Sequence, residues 1–187
     1  MLKLVQKEHG IIDQESKKIG AVNTISTSPK LTTANTDATA IASLLQAPKR
    51  VLVLGGGGVA RAAIAAAISL DADVVIVTRK CEQAMELADA FHCEHGADAC
   101  VNIDTVINCT PVGMENGEDP EGNPLTVLAP IIELTNEMTV FDTVYLPEHT
   151  PLLLCAIEHG CSVITGSEMF RKQAAAQQIF WATESAS

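Results

Sequence analysis

The stretch Val51–Ala63, "VLVLGGGGVARAA", runs from apolar residues into four consecutive glycines and then into alanine-rich sequence. It reads as a buried strand, a tight turn and a helix. Gly55, Gly57 and Ala60 fit G-x-G-x-x-A. The first position permits the turn, the second lets a pyrophosphate reach the backbone, and the third keeps helix and strand close. A helix opening near Gly58 and Val59 directs its free amides and positive dipole end at the same point. A dinucleotide site is the expectation; the bland alternative is a tight βα turn that holds nothing.

The neighbouring sequence supports this unit. Val74–Val77 reads as a second strand and Cys81–Phe91 as a helix with Ala84, Leu87, Ala88 and Phe91 on one face. Val106–Cys109, Thr139–Asp142 and Ser162–Thr165 are further short apolar runs, and Leu152–Glu158 and Glu168–Trp181 read as helices around the last of them. Apolar strands alternating with helices predict an α/β fold, a Rossmann-like doubly wound parallel sheet. Upstream, Leu2, Val5 and His9 suggest a helix. "AVNTIST" and "LTTANTD" suggest two short β pieces around a Ser28–Pro29–Lys30 turn, and residues 38–46 a short helix.

The end of the second strand bears on the choice of dinucleotide. A site for NAD usually has Asp or Glu there, accepting from the ribose 2′-hydroxyl. Here Thr78, Arg79 and Lys80 follow the strand, while Asp71 and Asp73 stand before it. A guanidinium holds a 2′-phosphate by charge and paired N–H bonds, where a carboxylate would repel it. NADP is therefore expected, against the plainer reading of a surface Arg–Lys pair capping a loop.

The chain has 187 residues and a net charge of −11, which argues against nucleic acid as a partner. No apolar run reaches the length of a membrane span and no signal peptide is evident, so a cytoplasmic protein is expected. The six cysteines form no C-x-x-C pair and are expected to be buried, reduced thiols. His92, Cys93, Glu94 and His95 hint at zinc, but adjacent helical positions diverge and no second cluster completes a site. A solvated helix end is expected there, and no metal.

Several motifs together resemble shikimate dehydrogenases: "IGAVNTI", "ANTD", "GGGGVAR", "NCTPVGM", "DTVYLPEHTPLL" and "GSEMFRKQAA", in this order from about Ile19 to Trp181. The resemblance implies reduction of 3-dehydroshikimate to shikimate with NADPH. It implies that Asn23, Asp37 and Gln173 bind substrate hydroxyls and that Asp37 takes part in proton transfer with a lysine. It places Gly55, Gly57, Gly58, Val59, Ala60, Thr78, Arg79 and Thr110 on the cofactor, with Gly166, Met169 and Tyr145 beside the nicotinamide. The residue types suit the chemistry, because Asn and Gln both donate and accept toward a polyol, and carbonyl reduction needs a placed acid–base group. Taken singly, Asn23, Asn35 and Asp37 also suit Asx turns, Gln173 a solvated helix face, and Tyr145 and Met169 packing.

The sequence departs from the family where Thr78 replaces an Asn, where Ala40 replaces a frequent Gly, and between Phe91 and Val106, where a helix looks trimmed. The family's catalytic-lysine motif and its carboxylate-binding serines are not found; Lys3 and Lys7 read as solvated helix residues. The expected organisation is residues 1–36 as a remnant of an N-terminal substrate domain, 37–165 as the NADP-binding domain and 166–187 as a helix returning to the cleft. The expectation is the C-terminal part of a shikimate dehydrogenase, inactive alone, whose partners are the small-molecule substrate and the missing domain, with oligomeric state open. The alternatives are a non-catalytic NADP-binding regulatory module and a quinate-type dehydrogenase.

Overall fold

The computed structural model describes Val5, residues 10–27 and residues 30–185. The expectations for Leu2, Lys3, Lys7, His9 and the Ser28–Pro29 turn fall outside the described residues. Helix α1 (Gln14–Ile19) leads to a hairpin of β1 (Thr24–Ser26) and β2 (Thr32–Ala34), antiparallel with Ile25 opposite Thr33. Helix α2 (Thr36–Leu44) follows; Asn35 caps it, its side chain accepting from the Ala38 amide, so the Asx reading of Asn35 is correct.

The main sheet contains β3 (Arg50–Leu54), β4 (Asp73–Val77), β5 (Glu94–His95), β6 (Thr105–Asn108), β7 (Thr139–Asp142) and β8 (Ser162–Ile164). Its six strands are all parallel in the order β5-β4-β3-β6-β7-β8. Helices α3 (Gly58–Ser69), α4 (Cys81–Phe91), α5 (Pro124–Leu128), α6 (Pro151–Glu158) and α7 (Gly166–Ser185) connect or follow the strands. The order reverses between β3 and β6. In doubly wound sheets a ligand crevice opens at such a switch point, at the carboxyl ends of the strands.

Burial alternates along β3. Val51 and Val53 face one cluster with α2, α3, α4 and Met169 of α7, whereas Leu52 and Leu54 face a second with Leu125, Leu152, Leu153 and Ala156. Covering both faces of a parallel sheet makes its strands apolar throughout. Ala60, Ala62, Ala63, Ala66 and Ala67 are buried, and so small a face lets α3 lie close against β3.

The segment from Phe91 to Val106 keeps the sheet order but contributes a strand of only two residues and a 3₁₀ turn, Ala97–Ala99. The expected solvated helix end is met at His92 but not at Glu94 and His95. His92 closes α4 in a left-handed conformation, while Glu94 and His95 form edge strand β5. Glu94 binds Arg50 at 2.9 Å, an attachment that no local pattern announces. Among the described residues no cluster of three or more His, Cys, Asp or Glu could hold a metal, and no helix is long and apolar enough to cross a membrane. The cysteines are free, but only Cys100 and Cys161 are buried; Cys81 is exposed, contrary to expectation.

Candidate functional site

The glycine turn lies where β3 enters α3. Gly55 has φ +112°, and a methyl group there would stand 2.9 Å from the Cys109 carbonyl oxygen. Positive φ and close backbone approach together exclude other residues. Gly57 differs: its φ is −80°, and a methyl would meet nothing within 4 Å. The open space faces the start of α3, which has no side-chain cap and no acidic residue in its first turn. Gly57 and Gly58 are exposed, Val59 is half-buried, and Ala60 is buried against the sheet. This cradle suits an anion, because the first-turn amides of a helix have no intrahelical acceptors.

At the end of β4, Thr78 turns its hydroxyl into its own loop, donating to the Lys80 carbonyl at 2.6 Å. Arg79 is exposed and binds no described residue. Gln83, one turn into α4, reaches back and donates to the Gly56 carbonyl at 3.0 Å. Sequence reading missed Gln83, because an exposed glutamine on a helix carries no pattern.

Across the switch point, Asn23, Thr36, Asp37 and Gln173 come together from the hairpin, α2 and α7. The Asn23 carboxamide accepts from the Thr36 amide at 2.9 Å and donates to the Thr36 hydroxyl at 3.0 Å. The Thr36 hydroxyl donates to Gln173 Oε1 at 3.3 Å. Asn23 therefore braces the turn, as its plain reading held, and also meets Asp37. Burial raises the Asp37 carboxyl above its ordinary range, with the Asn23 hydrogen bond pulling it down; among the described residues no lysine or arginine acts on it. This cluster stands beside the glycine turn. A Cβ on Gly58 would meet Ala21, and Asp37 lies near enough to Cys109 to add to the upward shift that burial gives its thiol.

The remaining predicted residues lie at the ends of β6, β7 and β8. Thr110 donates its hydroxyl to Asn108 Oδ1 at 2.7 Å. Tyr145 is exposed and stacks on Phe170, ring centroids 5.8 Å apart. Gly166 opens α7 against the Val144 carbonyl, which a methyl group would overlap. Met169 is 6% exposed and packs into the core, as its plain reading held. Thr165 and Glu168 form a reciprocal cap. Glu168 Oε2 accepts from the Thr165 amide at 2.8 Å, and Thr165 Oγ1 accepts from the Glu168 amide at 3.3 Å. The T-x-x-E spacing is the signal that marks this helix start.

Order, switch point and glycine cradle define a Rossmann-like nucleotide-binding architecture. Residues 22–109 match the model of the alanine dehydrogenase/PNT C-terminal domain. The chain is 33% identical over 180 residues to the NADP(+) shikimate dehydrogenase of Maridesulfovibrio salexigens, covering 91% of this chain and 64% of that protein. It is 31% identical to that of Dehalococcoides mccartyi, covering 94% and 66%. It superimposes with a TM-score of 0.78 on the crystal structure of Thermus thermophilus shikimate 5-dehydrogenase in complex with NADP(H) and shikimate, at 29% identity, covering 91% of this chain and 65% of that one. The chain belongs to the shikimate dehydrogenase family and corresponds to its C-terminal, NAD(P)-binding part. It spans just under two thirds of the length of these curated relatives.

Proposed function

We propose that this chain binds NADP(H) and provides the cofactor half of a shikimate dehydrogenase, oxidising shikimate or reducing 3-dehydroshikimate. The observation that carries the reading is the juxtaposition of two chemistries. A bare-backbone anion cradle with a free Arg79 beyond it stands next to a polar cluster of Asn23, Asp37 and Gln173. The amides of Gly57, Gly58 and Val59 would take the pyrophosphate and Arg79 the 2′-phosphate. Thr110, Tyr145, Gly166 and Met169 would border the nicotinamide. The bound cofactor supplies the hydride.

The chain's own residues hold the substrate and its proton. Asn23 and Gln173 offer both donors and acceptors to ring hydroxyls. Asp37, its pKa raised by burial, can accept a proton from the hydroxyl being oxidised or return one. Because no described cation assists Asp37, slow turnover is expected of the chain by itself. The domain organisation that goes with this reading is residues 1–36 with the substrate, 37–165 with the cofactor and 166–187 returning to the crevice.

The test is shikimate-dependent reduction of NADP+ followed by absorbance. Asp37→Asn should lower the rate by about 10²–10⁴-fold while NADPH affinity, measured by titration, stays. Unchanged turnover in Asp37→Asn would remove it from the proton path. Turnover of quinate at the rate of shikimate would favour the quinate-type alternative.

A further inference from the structure

Between the glycine turn and the start of α7 runs a chain of buried contacts that the proposed function does not use. Gly55 rests on the carbonyl of Cys109. One residue earlier stands Asn108, fully buried. Its Oδ1 accepts from the Thr110 amide at 3.0 Å and from the Thr110 hydroxyl at 2.7 Å, which shapes the turn after β6. Its Nδ2 donates at 2.9 Å to Asp142 Oδ1; the parallel register sets the two residues opposite each other. Its backbone carbonyl accepts from both the amide and the hydroxyl of Thr143, at 3.0 and 2.9 Å.

Asp142 is also fully buried. Its Oδ1 accepts from the Val144 amide at 3.0 Å and its Oδ2 from the Thr150 hydroxyl at 2.6 Å. Thr150 in turn caps α6. Val144 is the residue whose carbonyl Gly166 is packed against. The three side chains lie behind the crevice surface, with no exposed area to offer a ligand. Desolvation works against the carboxylate, pushing Asp142 up to about 6 despite three donors. Buried charges of this kind seldom improve stability over neutral packing. What this one does is tie the loops after β6 and β7 to the start of α6, with the Val144 carbonyl left against Gly166 at the start of α7.

We propose that Asn108, Asp142 and Thr150 are positioning residues for the nicotinamide half of the crevice: through Val144 and Gly166 they set where α7 begins relative to the glycine turn, and so where the nicotinamide ring is held. The proposal rests on the NADP(H) reading. Asp142 Oδ1 takes the Asn108 and Val144 donors together, and its Oδ2 takes the Thr150 hydroxyl. Asparagine at 142 would keep an acceptor for Asn108 and Val144 but turn its NH2 toward Thr150, whose hydroxyl already accepts from the Leu153 amide and would lose the acceptor for its own proton.

The test compares NADPH with 2′,5′-ADP, which carries the adenosine-side phosphates without the nicotinamide. Both are titrated calorimetrically into wild type, Asp142→Asn, Thr150→Val and Thr150→Ser, with circular dichroism as the check on folding. Wild type should bind NADPH more tightly than 2′,5′-ADP. Asp142→Asn and Thr150→Val should lose about tenfold or more in NADPH affinity, keep 2′,5′-ADP affinity, and Thr150→Ser should behave as wild type. Should Asp142→Asn fail to fold, the Thr150 pair decides. NADPH affinity unchanged in the folded variants, or a parallel loss of both ligands, overturns the proposal. So does a wild type that binds both ligands equally, with the NADP reading intact. If wild type binds neither, the NADP(H) reading itself fails and the proposal with it.

Discussion

On the β3–β4 side of the crevice the surface offered to a ligand is mostly main chain: Gly57 and Gly58 leave the start of α3 uncovered, Gln83 is tied to the Gly56 carbonyl, and Arg79 is exposed. On the β6–β7 side the surface is backed by buried side chains, with Asn108 and Asp142 bonded to each other and to the loops on either side. The first half works by leaving groups out and so has little internal energy to lose. The second holds its loops through a desolvated carboxylate both of whose oxygens are hydrogen-bonded. A substitution on the first side should therefore change ligand affinity with little effect on folding, and one on the second should change both.

Gly55 is the exception that tests the rule, since it serves the fold and the ligand together. Gly55→Val should cost about 3–5 kcal/mol, from left-handed strain and overpacking against Cys109, in denaturant unfolding. An effect within experimental error would show that the turn relaxes freely.

Asp142 supplies the next largest effect. Its folded pKa of about 6 lies above the ordinary value of 3.8, so the folded state binds the proton more tightly than the unfolded chain does. Its contribution to stability is full below about pH 4 and falls as the pH rises toward 6, by about 3 kcal/mol. In Asp142→Asn this part of the pH dependence should vanish, as read from unfolding curves collected across that range. The same slope in both proteins would mean that Asp142 is ionised at its ordinary pKa.

Arg79→Asp comes third. It should weaken NADPH by about 10²-fold while NADH changes little, with unfolding scarcely altered because Arg79 is exposed and has no hydrogen-bond or ion-pair partner among the described residues. Equal loss of both nucleotides would place the 2′-phosphate elsewhere. Gly57→Ala should be mildest for folding, less than about 1 kcal/mol. Its methyl enters the space where the pyrophosphate would approach, so NADPH affinity should fall although the melting curve scarcely moves.

The same contrast governs what the sequence made legible. A strand, a glycine turn and a helix are local, and a run such as "VLVLGGGGVARAA" states all three within a few residues. The parallel sheet follows from the alternation of apolar strands with helices, its strand order is not legible locally, and the grouping of Asn23, Asp37 and Gln173 is implied only by motif resemblance. The Asn108–Asp142 bond could not be read locally. Each residue looks like an ordinary polar residue at a strand end, and only the β6–β7 register makes them neighbours. Glu94 misled for the same reason: beside two histidines it suggested a helix end, while its partner Arg50 is distant in sequence. Thr165 and Glu168 differ: their capping box lies within four residues and its spacing could have moved the expected helix start from Glu168 back to Gly166.

Under the proposed function, exposed amides after β3 and a guanidinium after β4 together select a phosphorylated dinucleotide. Isothermal titration of the purified chain with NADPH and NADH side by side tests it most directly. Saturable binding of NADPH with a clearly weaker NADH is the predicted result. No heat with either nucleotide, or equal affinity for both, would contradict it.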